Sequence, residues 1–165
     1  MTRKLYLIRH SYAESPSGGG DFDRSLTSEG MNSARELGRY LTNSSFNPTA
    51  ILCSTALRAR ETVQNLIEEL EINEKNVAYK DVIYNASVRE LLVEINQIKT
   101  DLKEVALIGH NPTITYFAEY LTGESIGNME PCGMATITFR KIGWESISQA
   151  SGKLDSYLHP KHLNV

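Results

Sequence analysis

Short apolar segments alternate with longer stretches of helical periodicity along most of this chain, and this alternation limits the folds open to it. The apolar segments lie at 5–8, 50–53, 77–83 and 104–109, the third being the weakest. Apolar residues at helical spacing follow the helix-start signals at Thr27, Ser54-Thr55, Ser87 and Asn111-Pro112. Alternating strands and helices are typical of βα units, whose helices cover a parallel sheet. We therefore predict a three-layer α/β/α sandwich with a mostly parallel central sheet.

The C-terminal part of the chain has a different pattern. Segments 135–139 and 144–147 flank Lys141-Ile142-Gly143, and two apolar segments around a short turn favour an antiparallel C-terminal hairpin. No internal repeat or linker divides the chain, and 165 residues can bury most of the apolar surface that the unfolded chain exposes. We therefore expect residues 1–165 to form a single domain.

Charge and composition exclude several kinds of partner. The formal net charge is −3, so we expect no broad basic surface for nucleic acid or for an anionic membrane. No apolar run approaches the roughly 20 residues that span a bilayer, and residues 1–8 fit a first strand better than a signal peptide. Cys53 and Cys132 lie in apolar surroundings, which favours buried free thiols over a disulfide or a reactive cysteine. Free thiols persist in reducing compartments, so we expect a cytoplasmic protein.

Unusual polar residues follow three of the predicted parallel strands. Arg9 and His10 end the first strand, Arg58 follows the second through Ser54, and His110 ends the strand at 104–109. In open α/β sheets, ligands bind beyond the carboxyl ends of the strands. We therefore expect these side chains, which are far apart in sequence, to meet at one rim of the sheet.

The residue types at this rim favour an anion site that contains a nucleophile. Arginine offers a fixed fork of donors to tetrahedral oxyanions, and histidine is partly neutral and nucleophilic near pH 7. Arg58 lies in the first turn of its predicted helix, where the dipole disfavours a cation unless an anion binds there too. The simpler alternatives are an Arg58 that is solvated or paired with Glu61 or Glu29, and histidines with purely structural hydrogen bonds.

A metal site is a second reading of the histidines. It would combine His10 with His110, His159 or His162. No acidic or cysteine ligand has a suitable spacing, and the nearby arginines would repel a cation. We therefore predict no metal and no cofactor, and we expect His159 and His162 to be surface residues of a C-terminal tail.

Four segments carry a family resemblance. They are Leu7-Ile-Arg-His-Ser11, Asp21-x-x-Arg24-x-Leu26-Thr27-x-x-Gly30, Ser54-x-x-x-Arg58-Ala59-x-x-Thr62 and Leu107-Ile-Gly-His110-Asn-Pro112. In this order, the segments resemble the histidine phosphatase superfamily, which has the phosphoglycerate mutase-like fold. The short chain is most similar to the SixA-type phosphohistidine phosphatase branch of that superfamily.

The resemblance implies a role for each matching residue. His10 is the nucleophile and becomes transiently phosphorylated. Arg9 and Arg58 hold the phosphoryl oxygens, and His110 donates a further hydrogen bond to them. Fixed cationic donors of this kind stabilise in-line phosphoryl transfer without a metal.

Three further residues follow from the same resemblance. Arg24 is an additional phosphate or substrate contact, and Asp21 orients either Arg24 or a histidine. Ser11 replaces the glycine that usually follows the Arg-His pair. It is small enough to keep the turn, and we include it among the phosphate-binding residues.

One departure from the family pattern concerns the general acid. Larger superfamily members carry a Glu or Asp after the middle of the chain, whereas residues 82–87 here contain no carboxylate. Asp81 and Glu90 flank this stretch at uncertain positions. A missing acid suits the good leaving group of a phosphohistidine better than an alkoxide.

The resemblance therefore implies a metal-independent phosphatase that acts on phosphohistidine in a protein, such as a histidine phosphotransfer domain, and releases inorganic phosphate. The alternatives are a broad phosphomonoesterase or mutase on small phosphorylated molecules, and a catalytically silent phosphate- or phosphoprotein-binding module.

Overall fold

The computed structural model describes residues 1–16 and 18–163. Its sheet contains six strands in the order β3-β2-β4-β1-β5-β6. The strands are β1 (Thr2–Arg9), β2 (Ala50–Ser54), β3 (Val77–Lys80), β4 (Glu104–Gly109), β5 (Met134–Arg140) and β6 (Lys153–Leu158). The helices are α1 (Ser28–Thr42), α2 (Leu57–Leu70), α3 (Asp81–Tyr84), α4 (Val88–Asn96) and α5 (Thr113–Thr122).

The sheet is mixed, and its parallel part carries the rim predicted from the sequence. β1 pairs with β4, and β2 pairs with both β4 and β3, all in parallel. β5 runs antiparallel to β1 and to β6. The fold class predicted from the sequence is therefore confirmed, including the antiparallel pair at the C-terminal end.

The second strand of the C-terminal pair differs from the one we expected. The predicted strand at 144–147 includes the short 3₁₀ helix Trp144–Ser146, and the true partner of β5 is Lys153–Leu158. Trp144 is fully buried and its indole Nε1 donates to the carbonyl of Leu102 at 2.6 Å. Trp144 is therefore a core residue that lies outside any strand. Periodicity alone does not distinguish an apolar segment of this kind from a strand.

Alternate residues of the central strands point into two separate cores. On β1, Leu5 and Leu7 pack against Phe117 of α5, whereas Tyr6 and Ile8 pack with Leu37 of α1. The period of two in a strand sends successive side chains to opposite faces. Because both faces of β1 are buried, the strand that ends at the rim has little freedom to move.

Two predicted helix starts are confirmed, and two are wrong. Thr27 accepts a hydrogen bond from the backbone of Gly30 at the start of α1, and Ser87 forms a capping box with Glu90 at the start of α4. The N-cap of α2 is Ala56, one residue after the expected Ser54-Thr55 pair, and it forms no side-chain cap. The N-cap of α5 is Pro112 in place of the expected Asn111.

The predicted extended segment at 77–83 is only partly a strand. β3 ends at Lys80, and the chain then turns at once into the single helical turn α3. This turn brings Tyr84 and Asn85 toward the rim, where both line a cavity.

The structure also corrects one surface assignment. His159 is only 5% exposed, although we expected a surface residue, because it accepts a hydrogen bond from the backbone of Lys161 in a 3₁₀ turn at Pro160–His162. His162 is exposed as expected. The last two residues of the predicted tail, Asn164 and Val165, lie outside the described residues, as does Ser17.

Both cysteines are buried free thiols, as predicted. Within residues 1–16 and 18–163, no helix is long and apolar enough to cross a membrane.

Gly30 allows the loop after β1 to lie against the start of α1. A Cβ at this position would overlap the backbone oxygen of Tyr12. We therefore expect Gly30→Ala to lower the free energy of unfolding by about 2 kcal/mol, because the loop or the helix must shift. Urea unfolding measures this, with Asn32→Ala as the control, since Asn32 is exposed on the same helix. Equal stability of the two variants would show that the loop gives way without cost.

Candidate active site

A cavity of about 510 Å³ opens at the carboxyl ends of β1, β2 and β4. All six residues that the sequence suggested for phosphate chemistry line it: Arg9, His10, Ser11, Arg24, Arg58 and His110. The parallel strands bring these residues together from positions up to a hundred residues apart, as expected for a rim of this kind. Asp21, Tyr84, Asn85 and Asn111 also line the cavity.

His10 has the hydrogen bonds of a neutral imidazole whose Nε2 lone pair faces Arg58. Its Nδ1 lies 2.7 Å from the backbone carbonyl of Ser11, and because a carbonyl only accepts, Nδ1 carries the proton. Its Nε2 then holds the lone pair, which accepts from Nε of Arg58 at 3.3 Å. Burial lowers the pKa of His10 to about 3, and the nearby charges of Arg58 and Arg9 act in the same direction. The ring is therefore neutral near pH 7, with its single proton on Nδ1.

Arg58 is neither solvated nor paired with Glu61 or Glu29, so the simpler alternatives for it are wrong. It is 5% exposed, and its terminal nitrogens donate to Asp21, one to the backbone oxygen at 2.7 Å and one to Oδ2 at 3.0 Å. The carboxylate of Glu61 accepts from the backbone of Leu26 instead. A guanidinium has five N–H donors. Arg58 uses two of them for Asp21 and one for His10, so two remain for another anion.

Asp21 links two of the three arginines that line the cavity, Arg24 and Arg58. Its Oδ1 accepts from Nε of Arg24 at 3.0 Å, and its Oδ2 accepts from the hydroxyl of Tyr84 at 2.7 Å as well as from Arg58. The Tyr84 hydrogen bond, together with the two arginines, lowers the pKa of Asp21 to about 2. The same hydrogen bond raises the pKa of Tyr84. At neutral pH, Asp21 is therefore ionised while Tyr84 keeps its proton.

Arg9 approaches the cavity from the other side. One of its terminal nitrogens donates to the carbonyl of Met129 at 2.8 Å, and its Nε is buried without a hydrogen-bond partner. Burial is the main cause that lowers the pKa of Arg9. A half-buried guanidinium with unused donors beside the cavity can receive an anion, since an unsatisfied donor costs free energy when it has no partner.

His110 lines the cavity beside His10. Its ring centroid lies 5.2 Å from that of His10, and its Nε2 is 2.7 Å from the hydroxyl of Ser54. Its Nδ1 is buried and has no partner. Burial lowers the pKa of His110 to about 4, with Arg58 acting in the same direction. Both histidines of the site are thus neutral near pH 7.

Ser11 lines the cavity but is fully buried, and its hydroxyl and backbone nitrogen both have partners inside the protein. Its hydroxyl donates to the carbonyl of Gly30 at 2.8 Å, and its backbone nitrogen donates to the hydroxyl of Thr62 at 3.0 Å. The side chain thus joins the end of β1 to α1.

No carboxylate from the flanking positions takes part in the cavity. Asp81 accepts from the hydroxyl of Thr55 at 2.7 Å, and Glu90 is used in the capping box of α4. Neither lines the cavity, and neither do His159 and His162. Tyr84 is the site residue that sequence reasoning missed. The signal that could have pointed to Tyr84 is its position within residues 82–87, where the family resemblance led us to expect an acid.

Comparisons with known proteins agree with this geometry. The model of the histidine phosphatase superfamily (branch 1) matches residues 5–81. An uncharacterized protein of Mycobacterium tuberculosis is 30% identical over 118 residues, which are 72% of each chain. The chain belongs to the histidine phosphatase superfamily.

Structural similarity places the chain in the SixA-type branch of that superfamily. A protein from Agrobacterium tumefaciens assigned as the phosphohistidine phosphatase SixA has a TM-score of 0.82 and 28% identity, over 96% of this chain and 98% of that one. The protein histidine phosphatase SixA complexed with tungstate gives a TM-score of 0.85 at 20% identity, over 98% and 99% of the two chains. At that identity the second match supports the fold alone.

The two neutral histidines should make the protein less stable in acid. In the unfolded chain they bind protons below their ordinary pKa of 6.5, whereas the folded protein keeps them neutral down to about pH 4 for His110 and about pH 3 for His10. The unfolded state then holds more protons, so the free energy of unfolding falls as pH drops from about 6.5 to about 4. Each group contributes at most about 1.4 kcal/mol per pH unit.

Urea unfolding at several pH values measures this slope. We expect His110→Gln to show a shallower decline than the wild type over the same range, because it removes one of the two groups. A variant and a wild type with the same slope would contradict the neutral state of His110.

Proposed function

We propose that this protein is a metal-independent phosphatase that removes the phosphoryl group from phosphohistidine on another protein, through a phosphorylated His10. One observation carries the choice of substrate. Of the described residues that line the cavity, only Asp21 has a carboxylate, and its lowered pKa keeps that carboxylate ionised. The site therefore offers no carboxylic acid to a leaving group at neutral pH.

The first step needs a nucleophile and a set of fixed donors. The Nε2 lone pair of His10 attacks phosphorus, the new P–N bond forms, and the bond between phosphorus and the leaving group breaks. Arg9, Arg58 and His110 stabilise the charge on the equatorial oxygens. Because the Nδ1 proton of His10 is held by the Ser11 carbonyl, the ring need not reorient before it attacks.

The second step returns His10 to its starting state. Water attacks phosphorus, and the P–N bond to His10 breaks. The arginines bind the inorganic phosphate until it leaves. The electron pair of the P–N bond returns to Nε2. No metal or organic cofactor is needed for either step.

The leaving group decides between the candidate substrates. A serine or sugar alkoxide must gain a proton as it leaves, and a positioned acid typically contributes about 10²–10⁴-fold to such a step. The imidazole of a phosphohistidine is a better leaving group and depends less on that proton. The tyrosine at this position, with its raised pKa, is a weak acid and does not replace a carboxylic acid.

The structural relatives support the same substrate class, because the Agrobacterium protein is assigned as the phosphohistidine phosphatase SixA. A phosphorylated histidine phosphotransfer domain is the partner that we propose. The second candidate is a phosphomonoesterase on small molecules, which the size of the cavity admits. A silent binding module is less suitable, since binding alone requires no histidine with an oriented lone pair. The buried free thiols fit a reducing, cytoplasmic location.

A comparison of substrates tests this proposal. We expect kcat/KM for a phosphorylated histidine phosphotransfer domain to exceed that for an alkyl phosphate or a phosphoserine peptide by at least roughly 10²-fold, the lower end of what an acid contributes. A chelator in the assay should leave turnover unchanged. The matched control is His10→Ala, which removes the nucleophile and keeps the arginines.

Three results would each overturn part of this proposal. Efficient hydrolysis of alkyl phosphates with an untouched phosphohistidine would favour the phosphomonoesterase. Turnover of neither substrate class, together with binding of phosphate, would favour the binding module. Full turnover by His10→Ala would remove the covalent mechanism.

A further inference from the structure

The two ring nitrogens of His110 have very different surroundings. Nε2 lies 2.7 Å from the hydroxyl oxygen of Ser54, whereas Nδ1 is buried and has no partner. The ring is neutral near pH 7, so one nitrogen carries a proton and the other a lone pair. Which nitrogen holds the proton decides whether His110 offers a donor or a lone pair to a ligand in the cavity.

The hydroxyl of Ser54 already has one hydrogen bond. Its oxygen accepts from the backbone nitrogen of Ala56 at 3.2 Å. Ala56 is the N-cap of α2, so its N–H has no partner within that helix. Ser54 is fully buried at the end of β2, and its hydroxyl proton therefore needs an acceptor inside the protein.

Counting unsatisfied groups distinguishes the two tautomers. If Nε2 of His110 carried the proton and donated to Ser54, the hydroxyl proton of Ser54 and the lone pair on Nδ1 would both lack partners. If Ser54 donates to Nε2, only the N–H at Nδ1 is left without a partner. Each buried unsatisfied group costs about 1–3 kcal/mol, so the arrangement with one such group is favoured.

We propose that Ser54 is a positioning residue whose hydroxyl donates to Nε2 of His110 and thereby keeps the proton on Nδ1, as a donor for a phosphoryl oxygen. This inference rests on the proposed function, because it takes the ligand of the cavity to be a phosphoryl group. In the free protein the N–H at Nδ1 has no partner, and a phosphoryl oxygen would supply one. In the opposite tautomer, a lone pair would face an anionic oxygen and repel it.

The position of Ser54 explains why its hydroxyl is suited to this task. It is the last residue of β2, which pairs with β4, and β4 carries His110 just beyond its end. The hydrogen bond from the N–H of Ala56 fixes the orientation of the Ser54 hydroxyl. The hydroxyl proton of Ser54 therefore points to a partner other than the backbone. The proton on His110 is thus set by a neighbouring strand and not by the ligand.

The tautomer can be measured without any substrate. The chain contains four histidines, so the ring nitrogen signals in a ¹⁵N NMR spectrum of the free wild-type protein are few, and those absent from His110→Gln belong to His110. We expect a protonated Nδ1 and an unprotonated Nε2 at pH 7. A protonated Nε2 in the wild type would overturn the inference, whatever the protein hydrolyses.

A hydroxyl deletion tests the assignment to Ser54. Ser54→Ala should populate both tautomers and lower kcat for phosphoramidate by roughly 10- to 100-fold, while KM changes less than threefold. The expected loss is below the 10²–10³-fold that deletion of a whole transition-state donor costs. Ser54→Thr, which keeps the hydroxyl, should restore both the tautomer and kcat.

Ser44→Ala is the matched control. Ser44 also accepts from the backbone nitrogen two residues later, that of Phe46 at 3.1 Å, and it donates to the carbonyl of Leu41. It does not line the active-site cavity, so its removal should leave the His110 tautomer and kcat unchanged. A Ser54→Ala protein that keeps the wild-type tautomer and kcat would show that Ser54 does not set the proton.

These outcomes separate the two proposals. A wild-type protein with the Nδ1 proton and no activity on phosphohistidine or phosphoramidate would defeat the proposed function and leave the Ser54 inference standing. If Ser54→Ala does not fold, the wild-type spectrum and Ser54→Thr still decide the matter.

Discussion

The ion pair between Arg58 and Asp21 is the interaction on which the rest of the site depends. A nearly buried guanidinium would be costly without an anionic partner, and Asp21 supplies one through both its carboxylate and its backbone oxygen. The pair occupies two of the five donors of Arg58 and leaves its Nε directed at the lone pair of His10. The same carboxylate binds Arg24 and Tyr84, so a single residue organises three others and is itself removed from acid catalysis.

The fold contributes rigidity and convergence. β1 is buried on both faces and lies between β4 and β5, so Arg9 and His10 leave the sheet from a fixed point. The adjacent β4 places His110 beside His10, and β2 leads into the helix that carries Arg58. Charge and protonation follow from this burial, because a dry surrounding keeps both histidines neutral while the arginines keep their charge.

Much of this arrangement could be predicted from the sequence, because strand ends and helix starts carry local signals. The β1, β2 and β4 strands, the Thr27 cap and the Ser87 capping box follow from periodicity and residue type. Three points depended on tertiary contacts and could not be predicted in that way. Trp144 is buried in the core although it lies in a 3₁₀ turn outside any strand, and His159 is buried where it begins another 3₁₀ turn. The third point is the hydroxyl of Ser54, which contacts His110 and Ala56 instead of capping α2 with a side-chain bond.

From the sequence we identified six polar residues that line one cavity, but not most of the hydrogen bonds and ion pairs that they form. The family resemblance implied that Asp21 orients either Arg24 or a histidine, but nothing local to Asp21 indicates that it also binds Arg58, since the loop that carries it has no regular periodicity. Tyr84 was hidden for a related reason, because a tyrosine in the place of an expected carboxylate resembles an ordinary apolar position. Which charged side chains pair with one another depends on where the loops place them relative to the sheet.

The most direct test of the account is to trap the phosphorylated protein. The intact chain would be mixed with a ³²P-labelled phosphohistidine domain and quenched in alkali within milliseconds, and the label would be located by peptide mapping. We expect an acid-labile, alkali-stable label on His10 that is absent from His10→Ala. Turnover without such a label, or a label on a different residue, would contradict the central claim that His10 accepts the phosphoryl group.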